Sequence, residues 1–95
     1  MASHGKDHDK NINIIHYNMS EDMKLRAIEF TMQQDKNKND FDQLAKNLKK
    51  DFDAKFHPTW QCVVGKNFGS DIGYFEDHMI YFYHGSTAIL LWKAG

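Results

Sequence analysis

The single cysteine is the side chain best suited to nucleophilic chemistry. A cysteine nucleophile needs an imidazole within hydrogen-bonding reach, such as His57 or His78, and a third group that orients the imidazole. Cys62 alternates in phase with Trp60 and Val64, however, so its side chain should point into the core as theirs do. The pattern therefore favours an inert buried thiol over a catalytic one.

The histidines and carboxylates do not have the spacing of a metal or acid–base site. His4 and His8 are four residues apart, but Gly5 and the lack of further ligands argue against metal binding there. The other four of the six histidines are scattered without a short paired spacing. Asp51 and Asp53 lie among lysines, which indicates a solvated charge pattern on a helix. We expect no catalytic residue, no metal and no cofactor.

Residues 65–70 contain two glycines, a lysine and a serine, but their order and spacing are not those of a phosphate-binding loop. Residues 73–75 are only faintly similar to the aromatic strand of an RNA-recognition domain, whose basic signature is missing. Twelve basic and thirteen acidic residues leave a net charge of −1, so there is no overall positive field for a phosphate backbone or an anionic membrane. Neither nucleic acid nor membrane is an expected partner.

Local signals predict one strand and two helices in the first half of the chain. Residues 1–10 are polar and without periodicity, which predicts a flexible tail, and residues 11–17 have the alternation of a strand. Ser20 is a good N-cap for a helix from Glu21 to about Asp35. A second helix should follow an Asn39-Asp40 cap and end before Pro58.

The second half should be a sheet, because β-branched and aromatic runs alternate there with glycine-bearing turns. The predicted strands cover residues 60–64, 72–75, 79–83 and 87–92. Residues 84–86 suit a tight hairpin, and the uninterrupted apolar run at 88–92 predicts a central strand. The fold class is therefore α+β, with two helices on one face of an antiparallel sheet. The other face needs another cover, for which a second copy is the simplest candidate.

A strand edge is the most promising binding feature that residue patterns alone indicate. Ile72-Gly73-Tyr74 lies between segments that contain glycines or acids, and so short a strand can leave backbone groups open to another chain. An ordinary paired strand remains the alternative.

Three segments together resemble the small dimeric dynein light chain family: residues 56–70, which include Asn67-Phe68-Gly69-Ser70, then residues 78–83 and 88–93. The similarity extends from about residue 18 to residue 95, within a dynein light chain domain of residues 11–95. It implies a strand-exchanged homodimer, in which the strand after residues 67–70 crosses to the sheet of the other subunit. Each groove between that strand and the second helix would then accept an extended peptide as an added strand.

The resemblance also implies the site residues. Those expected at the partner peptide are Phe41, Asp42, Phe68, Gly69, Ser70, Asp71, Ile72, Gly73, Tyr74, Met79, Tyr81, Tyr83 and Ala88. Those expected at the dimer interface are Gln61, Phe68, Ser70 and Ile72.

Several positions depart from the family pattern. Common members have Tyr, Thr and His at the positions of Asp71, Gly73 and Tyr74, and Glu-Lys at Phe41-Asp42. The acidic replacements predict a specialised, more basic client. Common members have an interface histidine where this chain has Gln61, so its dimer should persist in mild acid.

The implied function is that of a non-catalytic light chain of a dynein motor, which binds dynein intermediate chains or other disordered clients. A general dimerisation hub independent of dynein is the alternative. A small cysteine- or metal-dependent enzyme on the same fold is a hypothesis of another class, and Cys62→Ser would separate it because a hub keeps its client binding. The expected location is the cytosol and cytoskeleton, and a dedicated axonemal subunit of a cilium or flagellum competes with a general adaptor.

Overall fold

The computed structural model describes residues 11–35, 40–66 and 78–94. Its elements, in chain order, are β1 (Ile12–Asn18), α1 (Glu21–Asp35), α2 (Phe41–Phe56), β2 (Trp60–Gly65), β3 (Met79–His84) and β4 (Thr87–Lys93). The four strands form one antiparallel sheet in the order β1-β3-β4-β2, and both helices pack on it. The predicted α+β class is confirmed. The predicted tail at 1–10 and strand at 72–75 lie outside the described residues.

Both helices begin at the predicted caps. The Ser20 hydroxyl accepts a hydrogen bond from the Met23 amide at 3.2 Å, and the Asp40 carboxylate accepts one from the Gln43 amide at 3.0 Å. These bonds satisfy amide groups that the first turn of a helix would otherwise leave unpaired. The bounds of α1 agree with the prediction at both ends.

The hairpin between β3 and β4 places an apolar strand in the middle of the sheet. His84 pairs with Thr87 across a two-residue turn, in which Gly85 has a φ of +64° that other residues rarely adopt. Strand β4 lies between β3 and β2, and its residues 88–91 are buried, as predicted. The core on the helix side of the sheet contains Ala27, Leu44, Leu48, Phe52, Trp60, Ile80, Phe82, Ile89 and Leu91.

Two carboxylates of α2 hold the layers together. Asp51 accepts two hydrogen bonds from the Arg26 guanidinium, at 2.7 and 2.8 Å, and so joins α2 to α1. Asp53 accepts from the Trp60 amide at 2.8 Å and pairs with Lys49, which joins α2 to β2. The expected charge pattern with the helix lysines is present at Asp53, which pairs with Lys49, but the bonds of both carboxylates to other elements were not predicted.

Substitution of Asp53 should make stability depend less on pH. The hydrogen bond with Lys49 has the larger effect and the one from the Trp60 amide the smaller. Both lower the pKa of Asp53 from its ordinary value of 3.8. Because the pKa of Asp53 is lower in the folded than in the unfolded state, its ionised form stabilises the fold above about pH 4. This stabilisation is lost as the pH falls through the folded-state pKa. We therefore expect Asp53→Asn to lower Tm at neutral pH, with the difference from the wild type shrinking below about pH 4. Asp42→Asn, an exposed carboxylate on the same helix, is the matched control for thermal melts across pH.

Candidate functional site

The face of the sheet turned away from the helices carries its own apolar cluster. Met79 and Tyr81 of β3 pack with Ala88 and Leu90 of β4, and all four are buried. Their neighbours Tyr83 and Trp92 are partly buried against them. Alternate residues of paired strands share a face, and the register that pairs Tyr81 with Leu90 and Tyr83 with Ala88 brings these side chains together.

Strand β2 continues this face with exposed side chains. Gln61 pairs with Trp92 and Val63 pairs with Leu90, so both project on the side away from the helices. Gln61 is exposed, and Val63 is 42% exposed although it is a large apolar residue. We call this surface of β2, β3 and β4 the helix-distal face; its members are Gln61, Val63, Met79, Tyr81, Tyr83, Ala88, Leu90 and Trp92. The polar β1 residues Asn13, His16 and Asn18 border it, opposite Tyr83, Tyr81 and Met79. Val63 was not predicted as a site residue, although its alternation with Gln61 places it on the same face.

Two tyrosine hydroxyls meet on the helix-distal face. The Tyr81 and Tyr83 oxygens lie 3.4 Å apart, and the ring centroids lie 5.9 Å apart. The hydrogen bond with Tyr83, together with burial, raises the pKa of Tyr81 to about 12. Tyr81 therefore stays neutral at physiological pH, and its side chain serves in packing and hydrogen bonding.

The predicted site residues on α2 lie on the other side of the sheet. Phe41 and Asp42 form the first turn of α2, and Asp42 is exposed. The buried residues of the same helix belong to the helix-side core. Within one chain, the predicted peptide-contacting residues therefore fall into two groups on opposite sides of the sheet. The third group, Phe68, Gly69, Ser70, Asp71, Ile72, Gly73 and Tyr74, lies outside the described residues.

Cys62 has the environment of a core residue. It lies on β2 and packs against the helix-side core with Val64, as predicted. Burial raises the pKa of the thiol to about 12, so almost none of it is the reactive thiolate at neutral pH. Within residues 11–35, 40–66 and 78–94, no three His, Cys, Asp or Glu side chains are grouped as a metal site would require.

Comparison with known structures identifies the type of fold. The dynein light chain-like domain of the Fasciola hepatica calcium-binding protein FhCaBP2 superposes with a TM-score of 0.77 at 22% identity, covering 88% of this chain and 91% of that one. The DLC-like domain of CsTAL3 gives a TM-score of 0.78 at 23% identity, with 88% and 93% covered. The protein thus has a dynein light chain-like fold.

The family model for dynein light chain type 1 matches residues 11–94, and the chain belongs to this family. The resemblance noted in the sequence is thereby confirmed. Members are small adaptors, generally non-enzymatic, that typically dimerise and bind dynein intermediate chains. Neither of the described helices is long and apolar enough to cross a membrane.

Proposed function

We propose that this chain is a non-catalytic light chain subunit of a dynein motor complex, which homodimerises and binds extended client peptides by β-strand addition. Its principal support is the division of the predicted site residues between opposite sides of one sheet. Phe41 and Asp42 lie on the helix side, whereas Met79, Tyr81 and Ala88 lie on the helix-distal face. One peptide contacts both groups only if each group comes from a different chain.

A dimer built through the helix-distal face satisfies this requirement. The part of this face on β3 and β4 is an apolar cluster, and exposed Val63 of β2 extends it. In the proposed dimer the strand that follows residues 67–70 crosses to the partner sheet. A two-fold axis then produces two equivalent grooves, each between the crossed strand and an α2 helix.

The two grooves give the proposed dimer its adaptor function. Main-chain hydrogen bonds to the added strand supply affinity, and pockets for alternate side chains supply selectivity. When one strand of a dimeric client is bound, its second strand meets the other groove at a raised effective concentration. The adaptor therefore favours clients that are themselves paired, such as dynein intermediate chains.

Asp42 is expected to select basic clients. Its exposed carboxylate stands at the start of α2, where it attracts a Lys or Arg side chain of the peptide. We expect Asp42→Asn to reduce the preference for basic over glutamine-threonine peptides by about threefold, which is the scale of one exposed ion pair. Calorimetric titration with both peptides measures this preference. Ala54→Lys, exposed on the same helix, makes the same charge change and should leave the preference unaltered.

A wild-type protein that prefers ordinary glutamine-threonine motifs would contradict the proposed client chemistry. A protein that binds neither peptide class would contradict peptide capture itself. Co-purification with dynein intermediate chains separates the motor subunit from the alternative, a hub independent of dynein, which binds peptides but not those chains.

The proposed dimer should also persist in mild acid. Gln61 is an exposed member of the helix-distal face and does not gain a proton in this range, unlike the histidine it replaces. His16 borders the face opposite Tyr81, but it lies on β1, at the edge of the sheet away from Gln61. We expect sedimentation velocity to show the same dimer at neutral pH and at about pH 5. Gln61→His should restore dissociation in acid, and a wild type that itself dissociates would refute this expectation.

A further inference from the structure

A second apolar surface lies between β1 and α1, at the edge of the sheet opposite β2. A groove of about 290 Å³ is lined there by Ile12, Ile14, Lys24, Leu25 and Ile28. We call it the β1–α1 groove. Leu25 on its rim is 50% exposed, which is the largest exposure among the large apolar side chains of the described residues. Ile12 and Ile14 pack against the helix-side core, whereas the client-peptide residues of β3 and β4 lie on the helix-distal face. None of the residues that line the groove belongs to α2, so it is separate from the surface proposed for client peptides.

The charges around Leu25 specify a partner. Asp22 and Glu29 lie one turn before and one turn after Leu25, and both are exposed. Neither forms an ion pair within the part of the chain that the structure describes. Lys24, in contrast, pairs with Glu21 at 3.0 Å and lies over the Tyr17 ring. Arg26 lies within the electrostatic reach of Glu29, but its guanidinium is bound to Asp51. Both cations beside Leu25 are thus paired with other carboxylates, which leaves Asp22 and Glu29 as the flanking charges for a partner.

The backbone of β1 favours a helix over an added strand. The β1–β3 register shifts between Ile14 and His16, which marks a bulge in the strand. A bulge bends the strand and interrupts the row of backbone groups that an added strand would need. Four of the five residues that line the groove are Ile or Leu, and apolar side chains from β1 and α1 form a surface for an amphipathic helix.

Two other occupants fit poorly. In a two-fold contact centred on Leu25, a second copy would place Asp22 of one chain near Glu29 of the other, and like charges repel. The N-terminal residues 1–10 contain only Met1 and Ala2 as apolar side chains besides glycine. They have too little apolar surface to fill the groove.

We propose that the β1–α1 groove docks an amphipathic helix of another protein. One apolar side chain of that helix packs into the groove beside Leu25 and Ile28. Lys or Arg residues one turn before and one turn after it pair with Asp22 and Glu29. The domain thereby gains a second docking surface, which remains accessible while client peptides occupy the other.

Two synthetic helices of about 18 residues, long enough to retain helical structure, test the proposal. They share an apolar stripe of leucines and differ only in the flanking residues, which are Lys in one and Glu in the other. Fluorescence anisotropy with the full chain should show saturable binding of the Lys helix and at least about tenfold weaker binding of the Glu helix. Leu25→Ser should weaken the Lys helix about tenfold, because the apolar contact is lost.

Charge variants provide the matched controls. Glu29→Gln should weaken the Lys helix about threefold, whereas Ala54→Lys, with the same net change on α2, should not. Circular dichroism of each variant confirms that the fold is retained.

The proposal is overturned if the Lys helix fails to bind, or binds no better than the Glu helix, or binds Leu25→Ser equally well. Concentration-dependent association that Leu25→Ser abolishes would show a second copy as the occupant. Tighter helix binding after removal of residues 1–10 would show that these residues occupy the groove.

Discussion

Val63→Asp is expected to convert the proposed homodimer into monomers and to abolish bivalent client binding. Val63 is 42% exposed in the single chain, so the substitution leaves the helix-side core intact. In the proposed dimer it lies within the helix-distal face, beside Leu90. An unpaired carboxylate buried there destabilises the dimer by about 3 kcal/mol or more, which weakens association by at least about 100-fold.

Sedimentation equilibrium over a range of protomer concentrations measures this effect. Leu25→Asp is the control, because Leu25 is similarly exposed, at 50%, but lies on α1, on the helix side of the sheet. That variant should remain dimeric. If both variants dissociate, the effect is general destabilisation; if neither does, the dimer is built through another face. Loss of peptide binding together with the dimer would support grooves formed by two chains.

Phe52→Ala is expected to reduce the free energy of unfolding by about 3–5 kcal/mol, the range found for large aromatic side chains removed from cores. Phe52 is fully buried, and its ring centroid lies 4.9 Å from those of both Phe56 and Trp60. It therefore connects α2 to the start of β2. Small domains are stable by only about 5–15 kcal/mol, so this loss removes a large share of the total stability.

Phe56→Ala is the matched control for Phe52→Ala. Phe56 lies on the same helix one turn later and is only partly buried against the core. We expect Phe56→Ala to lower the free energy of unfolding by roughly half as much as Phe52→Ala. Urea titrations followed by tryptophan fluorescence, at a fixed protomer concentration, measure both losses. Equal losses for the two variants would show that Phe52 does not have the central position described here.

Short-range patterns in the sequence were sufficient for the helices and the hairpin. A cap bonds to an amide three residues away, as Ser20 and Asp40 do. Helical and strand periodicities likewise act over a few residues. This is why the bounds of α1 and the turn at Gly85 could be predicted from neighbouring residues alone.

Family motifs extended the prediction to function but could not place the site in space. They named Asp42 and Tyr81 as partners in one groove, whereas the fold places them on opposite sides of the sheet within a chain. Sequence motifs specify residue types, and only the register of the strands decides which side each residue faces.

By itself, the sequence determined the α+β class, the family and the buried thiol, because each depends on local periodicity or on recognisable motifs. The tertiary structure alone decided the strand order, which puts β1 and β2 at the ends of the described sheet. It also decided that Asp51 joins Arg26, 25 residues earlier, and that Leu25 borders a groove with Ile12. Such contacts join residues distant along the chain, and they form only when separately patterned elements pack against one another.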